Sequence, residues 1–368
     1  MSTPAGLALP DFPWDQLAPY AAKAKAHAGG LIDLSVGSPV DPTPAVIAEA
    51  LRQAVDSHAY PAAAGTPALR QAIIAWYQRR RSVPGLSEAE VMPTIGSKEL
   101  IALLPLLLGL GPDDAVVFPT AAYPTYAVGA QIARAQAVAA DDPADWPDNT
   151  RLVWLNSPGN PDGSVLDLAH LRAAVARARE LGAVIAGDEC YAELNWAGDE
   201  PTACILDPRV VGEDRSNVLS VYSLSKQSNL AGYRAAFVAG DAALIDIIKL
   251  ARRHAGLIPP GPVQAAMVAA LQDDTHVAEQ RERYRARRNA LLPVLQDNGF
   301  RIDRSTAGLY LWVTRDEDCW VTLDALAEQG ILAAPGAFYG PAAAQHVRIA
   351  LTASDEAIAE AAARLAAR

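Results

Sequence analysis

Cysteine, methionine and aromatic residues are scarce in this chain of 368 residues, which carries three Cys, three Met and 6% Phe, Trp and Tyr combined. The cysteines (Cys190, Cys204, Cys319) lie far apart and match neither a CxxC pattern nor a Cys/His ligand spacing. That argues against a disulfide framework and a structural zinc, and for a reduced interior. The six histidines (His27, His58, His170, His254, His276, His346) likewise show no metal spacing, and none is assigned to catalysis. A basic excess is missing: 31 Lys and Arg stand against 42 Asp and Glu, a formal charge of −11. This disfavours nonspecific binding to nucleic acid but leaves small anionic substrates open, because their binding depends on local charge. No basic segment followed by an apolar core opens the chain, and the run Leu100 to Leu110 contains Pro105 and is too short to span a bilayer. A cytoplasmic location without membrane or nucleic-acid partners is the expectation. Neither GxxxxGK[ST] nor GxGxxG occurs as a nucleotide-binding element, and no internal repeat or disordered tract is evident.

What remains is a chain long enough for two domains, about half apolar and a fifth charged. Strand-like and helix-like segments alternate, the pattern of a mostly parallel sheet covered by helices. Thr43-Pro44 and Thr66-Pro67 each read as a Thr N-cap with Pro at the first helical position, opening helices to about Asp56 and Arg81. Strands are expected at Val91 to Ile95, Ala115 to Phe118, Ala137 to Ala140, Arg151 to Leu155, Val184 to Ala186, Val218 to Tyr222 and Ala235 to Val238. Tyr123 to Ala135 and Leu166 to Leu181 read as helices between them. Beyond Asp241 helices dominate, with the charged stretch Glu279 to Arg288 read as a long exposed connecting helix. Short strands at Tyr310 to Val313 and Val347 to Leu351 then belong to a second, smaller domain.

One segment stands out chemically: Ser223-Leu-Ser-Lys226-Gln-Ser-Asn-Leu-Ala-Gly-Tyr-Arg234. Lysine is rarely buried unless paired or chemically used, and this one sits between two apolar runs. A lysine there loses its proton readily and becomes an amine nucleophile for carbonyls. Ser223, Ser225 and Arg234 around it suit a phosphate. The plain alternative is a surface lysine following a strand. Other motifs end strands in the same way: Asn156-Ser-Pro-Gly-Asn160-Pro161, Asp188-Glu-Cys-Tyr191, and Gly96-Ser97-Lys98 at a helix start, where backbone amides bind phosphate. Arg348 lies in Val347-Arg348-Ile349-Ala350-Leu351. Singly, these are a turn, a helix N-cap or salt bridge, a core aromatic, a solvated lysine and an edge-strand arginine.

Taken in order and spacing, the motifs resemble the class I/II aminotransferases of fold type I, dependent on pyridoxal 5′-phosphate (PLP), from about Leu31 to the C-terminus. The resemblance implies an α/β fold: a large cofactor-binding domain over residues 36–280 with a mostly parallel seven-stranded sheet, and a smaller α+β domain from residues 1–35 and 281–368. It implies a PLP-binding lysine at Lys226, an acid at the pyridine nitrogen at Asp188, and donors to the phenolic oxygen at Asn160 and Tyr191. The phosphate cradle would be Gly96, Ser97 and Lys98 with Ser223, Ser225 and Arg234. Tyr123 matches the aromatic stacked on the pyridine ring, and Tyr60 the tyrosine that reaches the phosphate of a neighbouring subunit, so a homodimer with shared sites is implied. Gly37, Asn160 and Arg348 would hold the substrate α-carboxylate, Arg348 through its bidentate fork. The segments Asp11-Phe-Pro-Trp14-Asp15 and Asp33 to Pro42 are similar to those of actinobacterial N-succinyldiaminopimelate aminotransferases. That implies a ping-pong exchange with 2-oxoglutarate in diaminopimelate and lysine synthesis. Lys23, Lys25 and Arg252-Arg253-His254 are then either distal-pocket groups or surface charge. An aspartate, alanine or aromatic aminotransferase, and a PLP-dependent β-lyase, stay open on the same residues.

Overall fold

Alternation of short apolar runs with amphipathic helices produces a seven-stranded sheet in the computed structural model, which describes residues 6–367. The first five residues of the expected small domain, and Arg368, lie outside the described residues. The strands are β1 (Val91–Ile95), β2 (Ala115–Phe118), β3 (Gln136–Ala139), β4 (Thr150–Asn156), β5 (Val184–Asp188), β6 (Val218–Ser223) and β7 (Ala235–Gly240). Their spatial order is β1-β7-β6-β5-β4-β2-β3. All neighbours are parallel except β7, which runs antiparallel to both β1 and β6. β5, β6 and β7 are buried along their whole length, the mark of a sheet covered on both faces, whereas the edge strand β3 is largely exposed.

Each strand feeds one core per face. Val153, Leu155 and Ile185 pack with helices Pro67–Arg80, Leu168–Leu181 and Gly261–Gln272. Leu152, Trp154 and Ala186 point the other way, onto helices Ser97–Leu107, Thr125–Ile132 and Ala242–Ala255. The period-2 alternation of a strand accounts for the division. Helix starts follow local chemistry. Thr66 Oγ1 accepts from the Leu69 amide at 3.2 Å ahead of Pro67, and Asp167 accepts from the His170 amide at 2.8 Å. Thr43 does not do the same. Pro44 is extended (φ −54°, ψ 141°) and itself forms the N-cap of Ala45–Gln53, so Thr43 lies one residue too early to reach the helix amides.

A third core gathers Leu17, Ile32 and Leu34 with residues from Tyr284 to Leu365. It covers a four-stranded antiparallel sheet in the order Ala334–Pro335, His346–Ala350, Tyr310–Thr314, Arg301–Ile302. Ile32–Asp33 pairs in parallel with Ile331–Leu332, tying the N-terminal segment to this body. The helix Thr275–Asp297 runs unbroken through position 280, where the sequence placed a domain boundary. Nor is it the exposed connector its charge predicts. His276, Gln280, Tyr284, Arg287, Leu291 and Leu295 form one buried stripe at helical spacing, and His276, Gln280 and Arg287 find partners in Ser228, Asn229 and Asp41. No helix among the described residues is long and apolar enough to cross a membrane, and none of their His, Cys, Asp or Glu side chains group in a way that could hold a metal ion.

Candidate active site

Parallel strands place their carboxyl ends side by side, and the register brings Asn156 opposite Asp188 and Asp188 opposite Val221. The loops that follow open onto one cavity of about 490 Å³, closed on the far side by the third core and by the segment around Gly37. Crevices at strand carboxyl ends are where α/β sheets bind ligands. Gly37, Ser97, Lys98, Tyr123, Asn160, Asp188, Tyr191, Ser223, Ser225, Lys226, Arg234 and Arg348 all line it.

Two predicted residues do not. Gly96 is left out because its amide donates to the Arg234 carbonyl at 2.7 Å, completing the β1–β7 ladder rather than facing a ligand. Its role is steric: at φ +72° a Cβ would collide with the Arg234 guanidinium. Tyr60 is fully exposed and outside this cavity. Lys23, Lys25 and the Arg252 run do not reach the cavity either. Lys23 pairs with Asp324 and Glu328, and Arg252 is buried against Glu99 and the Leu257 carbonyl.

Lys226 sits in the single-turn helix Leu224–Gln227 after β6, and its Nζ donates to the Gly37 carbonyl. Burial lowers its pKa, with the Arg348 and Arg234 charges adding to the effect against Tyr310 and Cys190, so its ammonium is penalised relative to that of a solvated lysine. Burial pushes the Asp188 carboxyl up, against donors from Cys190 and from Tyr126, whose hydroxyl lies 2.8 Å from Oδ2. Asn160 Oδ1 accepts from Arg348 Nη1 at 2.8 Å, which leaves its amide NH₂ free of intramolecular bonds. Arg348 Nη2 donates to the Ser35 carbonyl at 2.7 Å, and its Nε has no partner. The guanidinium is held between the rings of Tyr310 (3.9 Å) and Tyr339 (5.0 Å). At the opposite end, Ser223 and Ser225 hydroxyls lie 2.9 Å apart beside Arg234 and the first amides of helix Ser97–Leu107, which lack intrahelical acceptors. Lys98 Nζ stands between the rings of Phe12 and Tyr123, at 5.6 and 5.8 Å. Tyr123 is pushed up to about 12 by burial, so it stays a neutral aromatic wall.

Among the described residues, four cations of this cavity (Lys98, Lys226, Arg234, Arg348) form no ion pair, and Asp188 is the carboxylate that faces them. Arg348 is buried and Lys226 half-buried, where an unpaired cation is costly unless an anion compensates it, whereas Lys98 and Arg234 are exposed and open to an incoming anion. The donor set therefore fits a ligand with a phosphate at one end, a basic ring nitrogen over Asp188, and a carboxylate near Arg348. PLP with a bound amino acid has that layout.

Sequence reasoning missed Tyr126, Tyr310, Cys190 and the pair Phe12 and Trp14 at the cavity mouth. Tyr310 was inside a recognised strand, but only the pairing of Trp312 with Arg348 puts it on the same wall as that arginine.

A family model described as aminotransferase class I and II matches residues 30–365. A 4-dedimethylamino-4-oxo-anhydrotetracycline transaminase of Streptomyces rimosus is 52% identical over 97% of this chain and 99% of its own length. The crystal structure of an aminotransferase from Neisseria meningitidis superposes with a TM-score of 0.91 at 31% identity, covering 98% of each chain. A probable N-succinyldiaminopimelate aminotransferase from Thermus thermophilus gives 0.86 at 28% identity, over 97% of this chain and 100% of its own.

Proposed function

Because the chain belongs to the class I and II aminotransferases, a PLP-dependent family, we propose that it moves an amino group between an amino acid and 2-oxoglutarate by a ping-pong reaction, with N-succinyl-LL-2,6-diaminopimelate as the second amino compound. The observation that carries the reading is the set of four uncompensated cations arranged about Lys226 and Asp188. PLP, when bound, supplies an aldehyde that condenses with amines and a protonated ring that withdraws electrons from the bond being broken.

The remaining work falls to side chains. Lys226 Nζ is the amine placed to hold the aldehyde, and as a free amine it would be the base that takes the proton from the donor Cα. Burial, which lowers its pKa, eases the loss of the proton that a lysine must give up before it can act as a base. Asp188 holds a proton on the ring nitrogen, an ion pair that repays the burial of its carboxylate. Asn160 and Tyr191 donate to the ring's phenolic oxygen. Ser223, Ser225, Arg234 and the Ser97 and Lys98 amides hold the phosphate, and Tyr123 stacks on the ring. Arg348 keeps donors in hand for an α-carboxylate, including the unpartnered Nε, with the Gly37 segment alongside. Tyr60, free on the surface, serves the site of a second copy in a homodimer.

Substrate choice is set at the mouth. Lys98 offers an ammonium without a carboxylate partner, flanked by aromatic faces. That suits a long donor with an apolar chain and a distal carboxylate, and the Thermus relative's name supports the same compound. The test is a half-reaction screen: purified protein with PLP, mixed with single amino donors, while the cofactor's visible band is followed. Conversion is expected with N-succinyl-LL-diaminopimelate and glutamate, and with neither aspartate, alanine nor aromatic amino acids. Equal conversion by aspartate would overturn the substrate. Release of free ammonia along with the oxo acid, in place of retention of the amino group on the cofactor, would overturn transamination in favour of β-elimination.

A further inference from the structure

Tyr310 joins parts of the site that no motif connects. It begins the strand Tyr310–Thr314, is buried, and lines the cavity. Its hydroxyl lies 3.2 Å from that of Tyr191, and the two rings meet edge to face. Its ring lies under Arg348, with the guanidinium carbon 3.9 Å from the ring centroid. Its hydroxyl also packs so tightly on Gly37 that a Cβ there would collide with it, and the Gly37 carbonyl is the acceptor of Lys226 Nζ. One side chain thus touches a cofactor-side phenol, the carboxylate-binding cation and the loop that holds the lysine.

Charge decides the direction of the hydroxyl–hydroxyl bond. Burial penalises a Tyr310 phenolate, but the Arg348 and Lys226 charges outweigh that and hold Tyr310 below the ordinary tyrosine value. Burial pushes Tyr191 well up, with Tyr310 and Cys190 adding to the rise against Arg348. The remaining ionisable groups that sense Tyr310 are Tyr123, Tyr284 and Tyr339, all neutral phenols. Tyr310, the more acidic of the two phenols, is therefore the donor and Tyr191 the acceptor, and the single Tyr191 proton stays available to the cofactor oxygen as in the reading above.

We infer that Tyr310 is a positioning residue for both ends of the reaction site: its hydroxyl donates to the Tyr191 oxygen and so leaves the Tyr191 proton for the cofactor's phenolic oxygen, and its ring fixes the plane of Arg348 against the substrate α-carboxylate. The inference rests on the reading of Lys226 and Arg348 given above and assigns separate duties to the hydroxyl and the ring.

Tyr310→Phe and Tyr310→Leu, each as PLP-loaded protein, separate these duties through two measurements that do not require turnover. One is the pKa of the cofactor's visible band. The other is the Kd of succinate, a dicarboxylate without an amino group to transfer, read from the same band. In Y310F, Tyr191 loses the donor that polarises its hydroxyl and donates more weakly to the cofactor oxygen, so the band pKa should rise by about 0.5 units or more, while succinate affinity stays within about twofold. In Y310L the pKa should rise in the same way, and succinate should bind about tenfold more weakly because the face under Arg348 is gone. A Y310F band pKa that is unchanged or lowered overturns the role of the hydroxyl. Succinate affinity equal in Y310L and Y310F overturns the role of the ring. A wild-type protein with no Lys226-dependent visible band would overturn the functional reading itself, a failure distinct from either.

Discussion

The Tyr126 hydroxyl donates to Asp188 Oδ2 at 2.8 Å from beneath the sheet end, and Tyr126 in turn stacks on Trp154 at 5.3 Å. The carboxyl that would face the cofactor's ring nitrogen is thus held in place from the core of one sheet face. Its second donor, the Cys190 amide, is longer at 3.3 Å. Tyr126→Phe should therefore raise the already elevated Asp188 pKa and leave the carboxyl neutral over a wider pH range. A hydrogen bond to a charged group is worth about 1.5–3 kcal/mol, so PLP affinity should fall by about tenfold or more. The loss should be largest on the acid side. Fluorescence titration of PLP across pH checks this, and an affinity unchanged at every pH would contradict it.

Gly96 and Arg234 make a second such pair. The glycine's missing side chain is what allows the guanidinium to lie over the start of helix Ser97–Leu107. Gly96→Ala forces two changes. The backbone at φ +72° costs about 1 kcal/mol with a Cβ, and Arg234, the flexible partner, moves aside. Among the described residues Arg234 has a single intramolecular acceptor, the Ala231 carbonyl at 2.7 Å, so little resists its displacement. The expected outcome is a folded protein whose PLP dissociation constant rises by at least about tenfold, since a charge-assisted bond to phosphate is lost. Inorganic phosphate, titrated as a competitor of PLP, should weaken in parallel. A variant with wild-type phosphate affinity would refute the steric role.

How far the sequence reached follows from the kind of signal each feature leaves. Strands buried on both faces must be apolar runs, so β2, β4, β5, β6 and β7 were legible within a residue or two, and residues next to their ends fell into one cavity. Signals that depend on a distant partner were not legible. Gln280 and Arg287 read as solvent-facing because their partners, Asn229 and Asp41, come from remote segments. Tyr310 needed a strand register, and Gly96 looked like a ligand-facing glycine because its carbonyl partner lies across a sheet. Thr43 failed for a local reason: a Thr-Pro pair is compatible with Pro at the N-cap as well as after it.

Arg81 and Glu189 form a buried pair behind the site. Arg81 Nη2 donates to Glu189 at 2.8 Å and Nη1 to the Thr202 carbonyl at 2.6 Å, while Glu189 also accepts from the Ile205 amide and the Ser220 hydroxyl. Both side chains are almost completely shielded from solvent. Removing one partner leaves the other charge buried, which costs about 3–5 kcal/mol. Arg81→Ala should therefore lower stability to urea by that amount, and the double variant Arg81→Met, Glu189→Leu should recover a large part of it. Equal losses in the single and double variants would show that the pair does not act through charge compensation.

The lowered pKa of Lys226 predicts a pH-dependent stability with a definite sign in the cofactor-free protein. The unfolded lysine titrates near its ordinary value of 10.5 and the folded one below it, mainly because burial penalises the ammonium. Between the two values the unfolded chain binds more protons, so stability rises with pH across that window. Below the folded pKa the penalty is present in full, and above 10.5 it is gone. Lys226→Met abolishes the penalty altogether. The apo variant should be more stable than the apo wild type at neutral pH, on the order of 1 kcal/mol as for an ordinary point substitution. The advantage should shrink as pH rises and vanish once free lysine loses its proton. Adding PLP should reverse the order, stabilising the wild type by ligand linkage while the variant, which cannot bond the aldehyde, gains less. Thermal unfolding of both proteins across pH, with and without PLP, measures each part, and an apo variant less stable than wild type at neutral pH would contradict the buried-charge argument.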